Sequence, residues 1–248
     1  MNKDYGVAHA VIGDAKLVLQ ALIEALKRRK GRTARDPKAL ADAVSAAKQA
    51  WRQEWKAQLG SSEVPINPYR VIWELMRTAD RDNTIVTHDS GSPREQLLPC
   101  WECTVAGGYM GWGKSTQLGY GLGINMGAKL AAPDKLCINV MGDAAIGMTG
   151  MDIETAARNR IAILTIVFNN GVMAAERDVL PVSIQKYNSL LVGGNYAKLA
   201  DALGVESERV EKPDAIVAAL KRGIDTTRAG RPALVEFVTK EGYDFSRY

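Results

Sequence analysis

The stretch KLCINVMGDAAIGMTGMDIETAARNRIAILTIVFNNG, residues 135–171, decides the fold of this chain. It contains two short apolar runs, residues 135–141 and 161–168, of the kind that forms strands buried on both faces of a sheet. A helix-compatible segment lies between the runs, so the two strands are predicted to be parallel and to end at the same edge. Strand and helix patterns alternate along the rest of the main domain. We therefore predict an α/β fold, a doubly wound and mainly parallel sheet with helices on both faces.

Polar residues follow each of the two apolar runs. Gly142 and Asp143 follow the first run, and Asn169 and Asn170 follow the second. At the carboxyl edge of a parallel sheet, where open α/β folds bind ligands, these side chains can converge. A carboxylate and a carboxamide are hard oxygen ligands that suit magnesium beside a diphosphate. Either motif alone favours a helix cap or a turn, whereas their spacing and the strands before them favour a metal site.

The two motifs resemble the signature of thiamine diphosphate enzymes, in which Gly-Asp-Gly is followed about two dozen residues later by Asn-Asn. Residues 67–239 are similar to the C-terminal, diphosphate-binding domain of the acetolactate synthase-like and 2-hydroxyacyl-CoA lyase-like superfamily. Residues 118–131 match its glycine-rich helix beneath the thiazolium ring, and residues 194–204 and 231–238 match its closing helix and last strand. Ala144 departs from the family pattern, because the last glycine of Gly-Asp-Gly usually stands there.

The resemblance implies which residues bind the cofactor, thiamine diphosphate, and its magnesium ion (Mg). Asp143 and Asn170 are expected to give side-chain oxygens to the metal, and Val172 its backbone carbonyl. The charge of the diphosphate also needs backbone N–H donors. Residues 90–92, after a predicted strand at residues 84–88, and Ala144 and Ala145, after Asp143, are placed to give them. The predicted cofactor-binding set is Ser90, Gly91, Ser92, Thr116, Leu118, Gly142, Asp143, Ala144, Ala145, Met148, Asn170 and Val172.

Two residues at the start of the glycine-rich segment have catalytic roles in the resemblance. Leu118 aligns with the bulky apolar residue that holds thiamine diphosphate in a V shape, and its N–H is expected to donate to the aminopyrimidine ring. Thr116 aligns with the position whose backbone carbonyl accepts a hydrogen bond from that ring. Met148 fits the position that lines the reactive face of the cofactor. Without the motif, Leu118 is a core leucine and Met148 a residue that fills space.

The chain is predicted to have two parts, a helical extension with its linker at residues 1–62 and a cofactor-binding domain at residues 63–248. Helices are predicted over residues 15–29, after Asp14 as the cap, and over residues 37–59. Trp51 and Trp55 share one face of the second helix, so this face is expected to pack on the main domain or on another chain. The extension resembles the tail of the central domain of the superfamily.

In the main domain, Asn67 is predicted to cap a helix that has Pro68 at its first position. Further strands are predicted over residues 84–88 and 233–238, and further helices over residues 116–131, 150–159, 196–203 and 213–227.

Composition and charge argue against several other classes. A hydrophobic fraction of 46% and a charged fraction of 24% are ordinary for a globular protein. The net charge of +4 is mild and sits largely in residues 27–35, a run typical of a solvated linker, so no nucleic-acid partner is predicted. No apolar stretch approaches the length of a membrane span and no secretory segment opens the sequence, so no membrane partner is predicted and the expected location is cytoplasmic.

The three cysteines and His88 are further candidate site residues. Cys100 and Cys103 have a metal-like spacing, but Cys137 is distant and the chain has only 2 histidines, so small buried hydrophobic side chains are the better interpretation. His88 ends a predicted strand beside the cofactor edge and is interpreted as structural.

A second nucleotide motif competes with the first. Residues 108–115 satisfy the pattern Gly-x-x-x-x-Gly-Lys-Ser of a P-loop. A P-loop follows a hydrophobic strand and opens a firm helix, whereas the segment before residue 108 is short and polar and the segment after it is rich in glycine. Repeated glycines on a helix fit a place where a flat ring or another backbone lies close. A P-loop enzyme is therefore not the preferred interpretation. It remains one alternative class of function, and a non-catalytic scaffold derived from the same fold is the other.

The function implied by the resemblance is that of an enzyme, a thiamine diphosphate-dependent lyase or transferase. Decarboxylation of a 2-oxo acid, with or without carboligation, is the first choice, and lysis of a 2-hydroxyacyl-CoA is the alternative. In the superfamily the glutamate that activates the cofactor lies in a separate pyrimidine-binding domain, for which this sequence has no room. The chain is therefore expected to be a subunit that works with a second polypeptide carrying that domain, in an αβ or α2β2 assembly. The alternative is a fragment of a longer enzyme.

Overall fold

The two apolar runs that frame the Gly-Asp and Asn-Asn motifs are neighbouring parallel strands in the computed structural model of the protein. The structure describes residues 6–29, 36–111, 117–242 and 245–246, and within them six strands form one parallel sheet. The order across the sheet is β2-β1-β3-β4-β6-β5. The strands are β1 (Thr84–His88), β2 (Tyr109–Met110), β3 (Leu136–Gly142), β4 (Ile163–Asn169), β5 (Glu206–Val210) and β6 (Ala233–Val238).

Helices cover both faces of the sheet. In chain order the helices of the described residues, including those outside the sheet domain, are α1 (Ala15–Arg28), α2 (Pro37–Glu54), α3 (Lys56–Leu59), α4 (Pro68–Thr78), α5 (Ser92–Cys100), α6 (Tyr120–Ala131), α7 (Asp143–Thr149), α8 (Ile153–Arg158), α9 (Pro181–Tyr187), α10 (Tyr196–Ala202) and α11 (Ile216–Arg228). Side chains of α4, α5 and α11 form one hydrophobic core on the first face, and side chains of α6, α7, α8 and α10 form a second core on the other. The predicted doubly wound α/β fold is confirmed.

The chain divides into two compact units, Met1–Ala50 and Trp51–Tyr248. In the first unit, Asp14 caps α1 as predicted, because its side chain accepts a hydrogen bond of 3.0 Å from Leu17 N–H. Among the described residues of this unit none is buried, and apolar side chains such as Leu19 and Leu22 are more than half exposed.

The second unit begins at the two tryptophans. Trp55 interrupts the predicted helix of residues 37–59, so that α2 and α3 replace it. The indole of Trp55 is 8% exposed and lies 4.7 Å, centroid to centroid, from the ring of Tyr69 on α4. Trp51 stacks on Trp55 at 5.9 Å and donates its indole N–H to Ser246 Oγ at 2.8 Å. Of the two predicted destinations for this tryptophan face, the main domain is confirmed.

Most predicted elements of the second unit lie within two residues of their observed bounds. Asn67 caps α4 through a 3.1 Å bond from Tyr69 N–H, and the strands at residues 84–88 and 233–238 are confirmed. The predicted helix of residues 116–131 begins only at Tyr120, because Gly119 adopts a left-handed conformation with φ 89°. The predicted helix of residues 150–159 is a 3₁₀ turn followed by α8. No helix in the described part of the chain is both long and apolar enough to cross a membrane.

Candidate functional site

The Gly-Asp and Asn-Asn motifs meet at the carboxyl edge of the sheet. Asp143 follows β3 and begins α7, and its side chain is only 3% exposed. Its Oδ1 accepts from Ala144 N–H at 2.8 Å, and its Oδ2 accepts from Asn170 N–H at 3.0 Å and Gly171 N–H at 2.7 Å. The carboxylate therefore ties the end of β3 to the loop that follows β4.

Burial and backbone donors act on Asp143 in opposite directions. Burial removes water from the carboxylate and raises its pKa above the ordinary value, whereas the N–H groups of Gly171, Ala144 and Asn170 stabilise the charged form and oppose that rise. A carboxylate has about four lone-pair sites, so three N–H donors leave acceptor capacity for a further ligand.

Asn169 and Asn170 have different partners. The Asn169 amide points back into the sheet, where it donates to Glu236 Oε1 at 2.6 Å and to Gly194 O at 3.2 Å. Asn170 lies at the rim of the cleft, and its Oδ1 accepts from Val172 N–H at 3.0 Å. Asn169 is thus a structural residue, and the Asn170 carboxamide is the one placed beside Asp143.

Asp89, at the end of β1, holds the start of the glycine-rich segment. Its Oδ1 accepts from Ser90 N–H at 2.9 Å and from Gly119 N–H at 2.8 Å, and its Oδ2 accepts from Gly121 N–H at 3.1 Å. The side chain has no exposed surface, and burial raises its pKa while these three N–H groups oppose the rise. Sequence reasoning missed Asp89. The signal was available, because Asp89 follows the end of β1 just as Asp143 follows β3.

The glycines at the start of α6 allow it to lie close to the strands. A Cβ at Gly121 would lie 2.6 Å from Asn139 Oδ1 and 2.8 Å from His88 O, which no real side chain tolerates. The Thr87 hydroxyl donates toward Gly121 O at 3.2 Å and Asn139 Oδ1 at 2.9 Å, which secures the same turn of helix from below. The predicted close approach of another backbone to this glycine-rich helix is confirmed at Gly121.

An open cleft with an empty volume of about 820 Å³ runs along this edge. The loops after β1, β3 and β4 all contribute to its walls, together with the side chain of Leu118. Arg94 and Lys240 add positive charge, and Glu176 adds negative charge. The predicted residues that line it are Ser90, Gly91, Ser92, Leu118, Gly142, Asp143, Ala144, Ala145, Asn170 and Val172.

Of the remaining two predicted residues, one does not line the cleft and the other is outside the described residues. Met148 is 60% exposed on α7 and is not among the residues that line the cleft. Thr116 lies outside the described residues, as do Lys114 and Ser115 of the competing motif. The part of that motif that is described does not resemble a P-loop, because β2 (Tyr109–Met110) lies inside it and residues 101–108 before it form no strand.

The donors of the cleft fit a diphosphate with a divalent cation. Asp143 and Asn170 offer a carboxylate and a carboxamide oxygen on adjacent loops, and such hard oxygens suit Mg²⁺. Gly91 adopts φ 82° just before α5, so the backbone turns sharply where Ser90 and Ser92 meet the cleft. Among the described residues no three His, Cys, Asp or Glu side chains cluster as a metal site, so a cation here would be held by the Asp143 carboxylate together with amide and backbone oxygens.

Three of the four remaining candidate residues, Cys100, Cys137 and His88, are buried within the fold. Cys100 and Cys137 are buried, and burial raises their pKa values to about 12 and about 11. Cys103 is exposed, contrary to its interpretation as a buried side chain, and its Sγ lies 3.1 Å from Val105 O. His88 is 3% exposed, its Nδ1 lies 3.2 Å from the Tyr120 hydroxyl, and burial lowers its pKa.

Comparison with known proteins points to one family. The family model described as thiamine pyrophosphate enzyme, C-terminal TPP binding domain, matches residues 89–237, which is more than half of the chain. The chain is 28% identical over 246 residues to a probable acetolactate synthase of Mycobacterium bovis, covering 97% of this chain and 42% of that protein. It is 27% identical over 247 residues to a 2-hydroxyacyl-CoA lyase of Arabidopsis thaliana, covering 92% of this chain and 41% of that protein.

The fold has a counterpart among solved structures. The thiamine diphosphate-dependent 4-hydroxybenzoylformate decarboxylase of Rhodococcus jostii matches 73% of this chain and 34% of its own, with a TM-score of 0.64 and 24% identity. The chain spans about two fifths of the length of the curated relatives above. Since the family model covers Asp89, Asp143, Asn170 and all but the last residue of β6, the chain belongs to the family of thiamine pyrophosphate enzyme C-terminal TPP binding domains.

Proposed function

We propose that this chain is the diphosphate-binding subunit of a heteromeric thiamine diphosphate-dependent enzyme that decarboxylates a 2-oxo acid, with or without carboligation. The observation that carries the proposal is the Asp143 carboxylate, which bonds the N–H groups of Asn170 and Gly171 and so joins the two halves of the motif in one cleft. Lysis of a 2-hydroxyacyl-CoA is the second candidate, supported by the likeness to the plant 2-hydroxyacyl-CoA lyase.

The residues of the cleft have separate tasks in this proposal. Asp143, Asn170 and the Val172 carbonyl hold magnesium, and backbone N–H groups near Ser90 and Ala144 bind the diphosphate. Leu118 supports the cofactor from the start of the glycine-rich segment. When bound, thiamine diphosphate supplies a nucleophilic carbon and an electron sink for breaking or making a bond next to a carbonyl.

A second polypeptide completes the site in this proposal. The chain corresponds to about two fifths of the length of these two relatives. In this proposal the pyrimidine-binding domain and its activating glutamate belong to the partner. We propose an αβ or α2β2 assembly in the cytoplasm. Thr116 is proposed to contact the aminopyrimidine ring and Met148 to face the reactive side of the cofactor.

The metal assignment predicts a specific loss of cofactor binding. Asp143→Ala or Asn170→Ala should weaken thiamine diphosphate binding in the presence of magnesium by about tenfold or more, because a ligand oxygen is removed from beside the diphosphate. Isothermal titration calorimetry of the whole chain, with and without magnesium, measures the effect. Asp152→Ala and Asn159→Ala are matched controls, since both residues are exposed in the segment between the two ligands.

The following outcomes test the metal assignment and separate the candidate functions. Equal affinity of wild type, Asp143→Ala and Asn170→Ala for the cofactor would refute the metal assignment. Tight binding of ATP with magnesium, without binding of thiamine diphosphate, would instead favour the P-loop alternative. Once the partner is present, turnover of a panel of 2-oxo acids and 2-hydroxyacyl-CoA thioesters distinguishes the two reactions, and cofactor binding without any turnover would favour the scaffold.

A further inference from the structure

A carboxylate with no exposed surface lies directly behind the Asn-Asn loop. Glu236 is in the middle of β6, beside β4 in the sheet, and is 0% exposed. Three donors converge on it. Asn169 Nδ2 donates to Oε1 at 2.6 Å, Ala197 N–H donates to Oε2 at 2.8 Å, and the Arg209 guanidinium donates to Oε1. The side chain thus accepts hydrogen bonds at both oxygens although it does not line the cleft.

Arg209 is the cation that makes this burial tolerable. Removing a carboxylate from water costs several kcal/mol of free energy unless an opposite charge and hydrogen bonds compensate this loss. Arg209 lies on the outer strand β5, is 28% exposed and is the only cation within the described residues that forms an ion pair with Glu236. Its Nε also contacts the exposed Glu211 at 3.1 Å. One guanidinium therefore joins the surface of the sheet to a buried acid.

The buried acid in turn fixes the loop that meets Asp143. The Asn169 side chain is bonded to Glu236 and Gly194, and its backbone O accepts from Thr239 N–H at 2.9 Å. The next two residues donate their N–H groups to Asp143 Oδ2. A rotation of Asn169 would therefore displace the N–H groups of residues 170 and 171 and the carboxamide of Asn170.

We infer that Arg209 and Glu236 are positioning residues that hold Asn169 and thereby set the geometry of the Asn170 carboxamide and of the N–H groups on Asp143. Their purpose, a preformed ligand for magnesium and diphosphate, rests on the proposed function. Without Arg209, the buried Glu236 carboxylate has no opposite charge beside it among the described residues and must turn toward water. The hydrogen bond from Asn169 Nδ2 to Glu236 Oε1 is then lost, and Asn169 moves.

Arg209 variants test this inference with the full chain. Arg209→Leu removes the charge, Arg209→Lys keeps it, and Arg222→Leu is the matched control. Arg222 pairs with Glu208 on the same strand β5 at 2.6 Å, but this pair is exposed and has no bond to Asn169. Amide hydrogen exchange of residues 170 and 171, measured without cofactor, reports the loop directly. Affinity for thiamine diphosphate with magnesium is the second readout.

Arg209→Leu should speed exchange of the two amides by about tenfold and weaken cofactor binding by about 10- to 100-fold, as lost outer-shell partners of metal ligands do. Arg209→Lys should keep most of the amide protection and most of the cofactor affinity of the wild type, and Arg222→Leu should change neither quantity. A merely structural ion pair would lower the thermal midpoint of Arg209→Leu but leave the amides of residues 170 and 171 as protected as in Arg222→Leu. That result would overturn the inference. If the wild-type chain binds no cofactor, the proposed function falls, while the exchange rates still decide whether Arg209 positions the loop.

Discussion

Asp89 and Asp143 perform the same task at the ends of two neighbouring strands. Each carboxylate accepts three backbone N–H groups, and in each case at least one of these donors belongs to a loop about thirty residues further along the chain. Asp143 was found from the sequence because a motif marks it. Asp89 was missed although it follows β1, because no motif marks it and its partners Gly119 and Gly121 are remote in sequence.

A substitution that preserves shape should expose the role of Asp89. In Asp89→Asn, the amide NH₂ replaces an acceptor and faces a backbone N–H, so we expect the free energy of unfolding to fall by about 1–3 kcal/mol. The loop that carries Leu118 should loosen as well, which would weaken cofactor binding. Urea denaturation measures the first effect and calorimetry the second. Asp152→Asn, at an exposed position, should change stability by no more than about 0.5 kcal/mol. Equal stability of Asp89→Asn and wild type would contradict this account.

Among the elements, predictions succeeded where periodicity and caps are local. The strands β1 and β6 and the Asn67 cap of α4 agree with the sequence patterns because each depends on a short, strongly apolar or capped stretch. Several elements, among them β2, α5, α9 and β5, were not predicted. Helix α5 contains Pro93 and Pro99, two prolines that are more typical of a loop than of a helix. Strand β5 is a charged edge strand without an apolar run. Their pairing with the rest of the fold, and not their own sequence, makes them regular.

Helix α6 offers an internal comparison of its glycines. Gly121→Ala should destabilise the protein by about 1–3 kcal/mol, because its Cβ would collide with His88 O and Asn139 Oδ1. Gly123→Ala should stabilise it by up to about 1 kcal/mol, because that position is exposed and no atom lies within 4 Å of the new methyl group. Thermal unfolding followed by circular dichroism compares the two. Equal effects in both variants would show that α6 does not approach β1 as described.

At the scale of the whole molecule, the cleft combines loops from three strands. The sequence predicted ten residues of its lining because the family motifs fall at the ends of β1, β3 and β4. It did not predict Arg94 on α5, Glu176 or Lys240 as lining residues, because no motif marks these positions. The sequence also could not decide whether Trp55 packs on the main domain or on another chain. Amphipathicity shows that one face of a helix is covered, but it does not show which surface covers it.

The distribution of cysteines over the molecule makes thiol reactivity a test of the fold. At pH 8, Cys100 and Cys137 should stay as unreactive thiols, because burial excludes reagents and raises their pKa values to about 12 and about 11. A disulfide reagent should therefore modify only the exposed Cys103 quickly in the native chain, and all three thiols in denaturant. The absorbance of the thiolate that the reagent releases gives the number of modified cysteines. Two or three fast thiols in the native chain would contradict the packing, and Cys103→Ser should remove the fast phase.

The order of strands leaves β2 and β5 at the two margins of the sheet, and this has a consequence for how the protein behaves in a crowded solution. An outer strand with free N–H and C=O groups invites a strand of another molecule, and proteins discourage such growth with short strands or charged side chains. Here β2 is only two residues long, and β5 carries Glu206, Glu208 and Arg209. The guanidinium proposed to hold the cofactor loop thus belongs to the same row of charges that keeps neighbouring molecules from adding a strand. A substitution at Arg209 would place solubility and cofactor binding at risk together.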